Sequence, residues 1–290
     1  MIGSGNISAS RAAARSVVLT LSLVIALGAA LALVPLAWAV TVVVGSIAVV
    51  GTLVRPQFGL LLIVPAVPFG SLLQAEVGVA GVGVTEALVV LVLGAWVIRL
   101  ATRPRARIKI PRLTLAILLF LGALVISALG AQSLQHSAKE VLKWVEVLAL
   151  FLFVSSEMDG KWTRALILVL LCTGGLAAFH GIYQFLFRVG PDAFVLFGRF
   201  MRAHGTFEQP NPYAGYLGLT LPLAMGVVVA GIVPVAGRIK PVWMLFAACT
   251  GGVMVVALVM SWSRGAWLGF GAAAAAMALA VVARSGRAAA

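Results

Sequence analysis

Apolar runs of about twenty residues, separated by short polar breaks, recur along the whole chain. Reading runs against breaks places them at 16–34, 36–54, 58–73, 85–100, 113–130, 138–155, 164–187, 212–233, 241–260 and 265–283. A helix rises 1.5 Å per residue, so about 20 apolar residues cross a hydrocarbon core of roughly 30 Å. The runs lack the period-two alternation that the strands of an outer-membrane barrel require. The pattern predicts an all-α, polytopic transmembrane bundle of about ten spans, a single transmembrane domain over residues 1–290. The run from Phe58 is short and holds Pro65 and Pro68, which points to a kinked or re-entrant segment there.

Composition and charge sharpen this picture. The 290 residues are 62% hydrophobic and 10% charged, with a mean hydropathy of +1.14, whereas a soluble domain carries roughly a quarter charged residues. Arg11 and Arg15 precede the first run and small residues lie near 37–39, as in a cleavable signal peptide. A second apolar run follows at once, which favours an uncleaved first span. The net charge of +13 would suggest nucleic acid in a soluble protein, but here the Lys and Arg residues fall in short segments between runs. With the N-terminus inside, the segments near 11–15, 55, 99–112, 161–164, 238–240 and 284–287 share one side. The other side receives Arg188, Arg199, Arg202 and Arg264, with Lys139 and Lys143 at the edge of the sixth run. This asymmetry predicts a multi-pass membrane protein with both termini cytoplasmic, in contact with membrane lipids and with no nucleic acid partner; the plasma (inner) membrane follows from the resemblance described below. The basic cluster 99–112 reads as a topology determinant near anionic headgroups. Cys172 and Cys249 both fall inside apolar runs, so they offer neither a disulfide framework nor a metal site and read as small core residues.

The residues that carry chemistry lie on the outer side. Segment 188–211 is the longest polar connection there, and it leads into RAHGTFEQPNPYAGY at 202–216. Asn211 followed by Pro212 suits a helix start, with Asn as N-cap and Pro at the first helical position. The free N–H groups of that start would face the outer surface, where an anion could bind. A second break, SWSRGAW at 261–267, is a tight turn that places Arg264 in the first turn of the last run. A cation there opposes the helix dipole, so something other than helix stability keeps it. Two arginines at one membrane face, each beside a helix start, suit a diphosphate; equally, both could snorkel to headgroups. His204 and Glu208 share the first stretch and are secondary candidates. His180 and Gln184, one turn apart near the outer end of the seventh run, could bond across helices or face a cavity. Within the sixth run Lys143 can pair with Glu146 at i, i+3, Glu86 reads as a helix cap, and His136 belongs to a short outer loop. No metal site and no cofactor are indicated.

Arg202-x-x-Gly205-Thr206-Phe207-x-x-Pro210-Asn211 before one run, and Ser263-Arg264-Gly265-Ala266 opening another, together resemble the O-antigen ligase superfamily. That superfamily includes O-antigen ligases, related polysaccharide polymerases and protein O-oligosaccharyltransferases. The resemblance covers the last third of the chain, residues 202–290. It implies a metal-independent glycosyltransferase of the cell envelope, acting in polysaccharide or lipopolysaccharide biosynthesis. Such an enzyme takes a glycan from a polyprenyl (undecaprenyl) diphosphate carrier at the outer face of the plasma membrane and passes it to a lipid, polysaccharide or protein acceptor. Carried over residue by residue, Arg202 and Arg264 would hold the diphosphate, Gly205 would let the loop backbone approach, and Asn211 with Pro212 would fix the helix start. Family members usually continue with further spans and a large outer loop carrying a catalytic His. This chain stops at Ala290 after RSGR, so the resemblance leaves the general base unassigned and implies a truncated, split or incomplete enzyme. Two other functions compete: a multi-span transporter of a small anion, and an inactive fragment that keeps only the donor-binding face.

Overall fold

The computed structural model describes residues 35–77, 83–103, 108–131, 133–232 and 239–289. Nine α-helices lie among them: α1 (Leu36–Val54), α2 (Pro56–Val77), α3 (Val84–Thr102), α4 (Leu113–Ala128), α5 (Leu134–Glu157), α6 (Gly160–Phe187), α7 (Pro210–Ile232), α8 (Pro241–Met260) and α9 (Arg264–Ala289). Between α6 and α7 run a short 3₁₀ turn, Asp192–Phe194, and a two-stranded hairpin, β1 (Val195–Leu196) and β2 (Phe200–Met201). Each helix corresponds to one apolar run. The first expected run, 16–34, falls outside the described residues. Five helices, α3, α6, α7, α8 and α9, are long and apolar enough to cross a membrane, so the chain is a multi-pass helical membrane protein.

The chain divides into two compact units, residues 1–54 and 55–290. In the first, α1 carries no charged residue, and its Thr52 hydroxyl is satisfied by the Ala48 carbonyl four residues back at 2.7 Å. In the second, α2 runs as one helix of 22 residues through both Pro65 and Pro68, the place where a kinked or re-entrant segment was expected. Each proline removes an N–H from the ladder, and near this stretch the Ala66 carbonyl accepts from the Thr85 hydroxyl at 2.9 Å.

Small residues set the packing. The main core gathers α6, α7 and α8 around Leu171, Ala178, Tyr213, Leu217, Leu221, Met254 and Leu258. Gly174 on α6 lies under Met254, where an added Cβ would stand 2.7 Å from the sulfur, and Gly251 on α8 faces the Ala224 Cβ. Such close backbone approach replaces hydrophobic drive as the source of helix association in lipid. A second core joins α2, α3 and α5 through Leu60, Ile63, Val92, Trp96 and Phe153, with the Trp96 and Phe153 rings edge to face at 5.7 Å. Outward faces remain apolar: Leu219 is 80% exposed and Leu268 77%, a surface that lipid covers.

Three smaller expectations change. Cys172 and Cys249 are exposed on helix flanks instead of sitting in the core, because glycine and alanine take the contact positions. Lys143 pairs with Glu140 at 2.7 Å, not with Glu146. His136 lies in the first turn of α5, where its Nδ1 meets the Ser133 hydroxyl at 2.8 Å, so it is not a loop residue. Glu86 does act as a cap, accepting from the Gly83 amide at 2.9 Å.

Candidate functional site

The connection from α6 to α7 is pinned on three sides. On α6, the buried Gln184 side chain works like a strand edge: its Oε1 accepts from the amides of Gly205 at 2.8 Å and His204 at 3.2 Å, and its Nε2 donates to the Gly205 carbonyl at 2.7 Å. On α2, the Thr206 hydroxyl donates to the Pro68 carbonyl and the Ser71 hydroxyl donates to the Thr206 carbonyl at 3.2 Å. At the end of α8, the Ala203 amide donates to the Met260 carbonyl at 3.0 Å. Gly205 is left-handed at φ +59°, and a Cβ there would stand 2.7 Å from the Tyr213 ring. Only glycine fits both the backbone and the space. The hydroxyl end of Tyr213 in turn fills the space that a Cβ on Gly181 would need, and the hydroxyl donates to the Ala177 carbonyl at 3.1 Å.

This clamp fixes Arg202. Its amide donates to the Phe194 carbonyl at 3.0 Å, its Nε to the Ser261 carbonyl at 2.8 Å, and a terminal nitrogen to the Asn211 Oδ1 at 3.1 Å. The guanidinium is therefore held against the α8–α9 turn, three residues before Arg264. Partial burial lowers its pKa below the usual arginine value, yet an arginine stays charged at any physiological pH. Arg264 is the first residue of α9, with an exposed side chain. The Trp267 amide donates to the Ser263 carbonyl at 3.1 Å, which leaves the amides of Arg264, Gly265 and Ala266 as the unpaired first turn of the helix.

His204 is buried within the same network. Its Nδ1 lies 3.3 Å from the Arg202 carbonyl and its Nε2 3.3 Å from the Gln184 amide nitrogen, which also reaches the His180 Nε2 at 3.3 Å. The Arg202 carbonyl can only accept, so Nδ1 carries the proton; with one Gln184 N–H given to the Gly205 carbonyl, the other is shared between the Nε2 atoms of His204 and His180. Burial lowers the pKa of His204 from 6.5, against the raising influence of the Arg202 carbonyl and with a further lowering from His180. With both ring nitrogens engaged, His204 serves the loop. Glu208 is exposed and makes none of these contacts. The structure thus joins Arg202, His204, Gly205, Asn211, Gln184 and His180 in one hydrogen-bonded system, places Arg264 on the adjoining turn, and leaves Glu208 apart.

Asn211 differs from its expected role. The helix opens two residues earlier, with the Tyr213 amide donating to the Gln209 carbonyl at 3.5 Å and Pro210 first in the helix. Asn211 is therefore inside the first turn and orients Arg202 instead of capping. Pro210 already has the φ that a helix start needs, and Pro212 at the third position sacrifices only an amide that would be unpaired anyway. Of the first three helical residues, Asn211 alone has an N–H, so the expected row of free donors at α7 is reduced to one. The row exists at α9.

Sequence reasoning did not find Ser261 or Thr206, since Ser261 acts through its carbonyl and Thr206 through a hydroxyl bond to another helix. It also missed Phe197 and Trp262. Both are left-handed, at φ +55° and +54°, and with Arg188 at +54° they are the non-glycine left-handed residues among those described. Each such residue costs roughly 1–2 kcal/mol, and all three border this connection or the α8–α9 turn. Among the described residues no group of three or more His, Cys, Asp or Glu side chains could hold a metal ion.

No protein-family model, no curated protein and no solved structure matches this chain.

Proposed function

We propose that this protein is a membrane glycosyltransferase or ligase of the O-antigen ligase type, moving a glycan from a polyprenyl diphosphate carrier to an acceptor hydroxyl. The observation that carries the reading is the seating of Arg202: two of its donors are tied to Asn211 and to Ser261 on the turn that leads to Arg264. The remaining guanidinium N–H groups, the Arg264 side chain and the α9 amides then supply positive potential in one small region. In the proposed reaction the acceptor oxygen bonds to the anomeric carbon, the bond from that carbon to phosphate oxygen breaks, and the diphosphate leaves with the electron pair. Fixed donors aimed at the leaving diphosphate lower the barrier because they need no reorganisation as charge develops. The proton of the acceptor hydroxyl requires a base, and His204, occupied on both nitrogens, is not assigned that task.

In this reading the chain has ten spans with both termini cytoplasmic, lies in the plasma membrane, and presents the Arg202 connection to the outer face. The acceptor is a lipid, a growing polysaccharide or a protein. The test is binding of a glycan-bearing polyprenyl diphosphate to the purified chain beside Arg202→Ala and Arg264→Ala. Charge-assisted bonds of about 1.5–3 kcal/mol predict a loss of about ten- to a hundredfold in each variant. Unchanged affinity in both would reduce the arginines to headgroup anchors.

A further inference from the structure

Two exposed aromatic side chains, on the hairpin that leads into Arg202 and on the turn that accepts its Nε, stand in backbone conformations that favour other residues. Phe197 opens the three-residue connection of the β1–β2 hairpin, whose last pair is Leu196 with Phe200. A left-handed residue at this place is ordinarily asparagine or glycine. Trp262 is the first residue past the α8 C-cap, Ser261, where a left-handed residue is ordinarily glycine. Phe197 is 78% exposed and Trp262 38%. Their rings meet edge to face at 6.0 Å and 67°, and Trp267 extends the group at 6.2 Å from Trp262.

Both aromatics are tied to Arg202 by the chain itself. Trp262 follows Ser261, whose carbonyl receives the Arg202 Nε, and lies two residues before Arg264; the hairpin that presents Phe197 runs through β2 directly into Arg202. An aromatic that only seats a protein in the interface can do so from any backbone conformation. Departures from local preference concentrated at one place mark a functional demand. The demand fits the donor. In a glycosyl diphosphate the first sugar is bonded directly to phosphate, so its ring must lie beside whatever holds the phosphates. The apolar face of a pyranose presents polarised C–H groups, which the negative face of an aromatic ring attracts.

We propose that Phe197 and Trp262 form a wall that receives the first sugar ring of the diphosphate-linked glycan; this rests on the reading of Arg202 and Arg264 as the diphosphate site. The wall makes the site discriminate a glycosylated carrier from the bare lipid diphosphate that remains after transfer.

The test measures dissociation constants of the full chain in lipid nanodiscs for two probes, a glycan-bearing polyprenyl diphosphate and polyprenyl diphosphate without sugar. The parent binds the glycosylated probe more tightly. Phe197→Leu and Trp262→Leu keep apolar bulk for the interface but remove the π face, and each loses about five- to tenfold affinity for the glycosylated probe while keeping its affinity for the bare one. Equal affinity of the parent for both probes, or an equal loss for both in the variants, overturns the wall and leaves the diphosphate site standing. A parent that binds neither probe defeats the diphosphate reading and the wall with it. Arg202→Ala separates the two ideas, since it weakens both probes alike.

Discussion

Gln184→Leu tests whether one side chain holds the Arg202 connection in place. The amide of Gln184 satisfies three buried backbone groups, the amides of His204 and Gly205 and the Gly205 carbonyl, at 2.7–3.2 Å. Leucine fills a similar volume but offers them nothing. Each buried group left unpaired costs about 1–3 kcal/mol, so the closed connection loses roughly 3 kcal/mol or more. That is at least about a hundredfold in the opening equilibrium. Hydrogen exchange reads it directly: protection of the amides at 203–206 should fall by that factor, while amides in the middle of α8 stay protected. Gln184→Glu keeps both acceptor bonds but puts a carboxylate oxygen where Nε2 donates to Gly205, and a fall of about tenfold is expected. Unchanged protection in Gln184→Leu would show that Thr206 and Ala203 suffice to hold the connection, and the clamp argument would fail.

The other predictions concern the same few residues. His204 has a lowered pKa, so its neutral form is the one that fits the fold; its contribution is complete above pH 6.5 and is lost as pH falls through the lower folded value. Thermal unfolding in detergent between pH 7.5 and 4.5 should show this loss in the parent and a flatter profile in His204→Phe, and a parent that gains stability on acidification would contradict the assigned tautomer. Gly198→Ala and Gly205→Ala share a left-handed backbone, at φ +65° and +59°, but only the second meets the Tyr213 ring. The first should lower stability by about 1–2 kcal/mol and the second by clearly more, so equal melting shifts would refute the packing role of Tyr213. Phe197→Gly relieves a left-handed phenylalanine that is mostly exposed, so chemical denaturation should find it neutral or more stable by up to about 1 kcal/mol. A loss above that range would mean the Phe197 ring supports the fold itself.

The helices were legible because lipid imposes a simple rule: every run of about twenty apolar residues is a helix, whatever it packs against. Even the two prolines of α2 did not defeat it. What each helix face touches was less legible. Cys172 and Cys249 looked like core residues, but in a bundle bathed in lipid an apolar residue is equally at home outside, and the contact positions went to Gly174, Gly251 and Ala224. Lys143 could reach Glu140 or Glu146 by spacing alone, and nothing in the sequence chooses between them. At the site, the polar residues stood out against an apolar background, so Arg202, Arg264, His204 and Gln184 could be named. The partners that orient them could not, because the Ser261, Met260 and Pro68 carbonyls carry no signal in the identity of their side chains.

Those silent partners bear on how the two arginines divide their work. Arg202 is spent in part on the protein: with Nε and one terminal nitrogen committed, it holds a fixed direction and has only its remaining N–H groups for a ligand. Arg264 has an exposed side chain and, behind it, a helix start with three free amides. The start of α7 beside Asn211 has one, because proline stands at two of its first three positions. In the proposed reading the start of α9 is therefore the stronger of the two helix starts for negative charge, and Arg202 is the cation tied to the turn before it. In that reading a diphosphate would place its inner phosphate against the amides and its outer phosphate, the one that bears the sugar, toward Arg202 and the proposed wall of Phe197 and Trp262. The same Ser261 carbonyl that fixes Arg202 begins the turn that presents Trp262, so in the proposed reading the grip on phosphate and the wall for sugar would share one short piece of backbone.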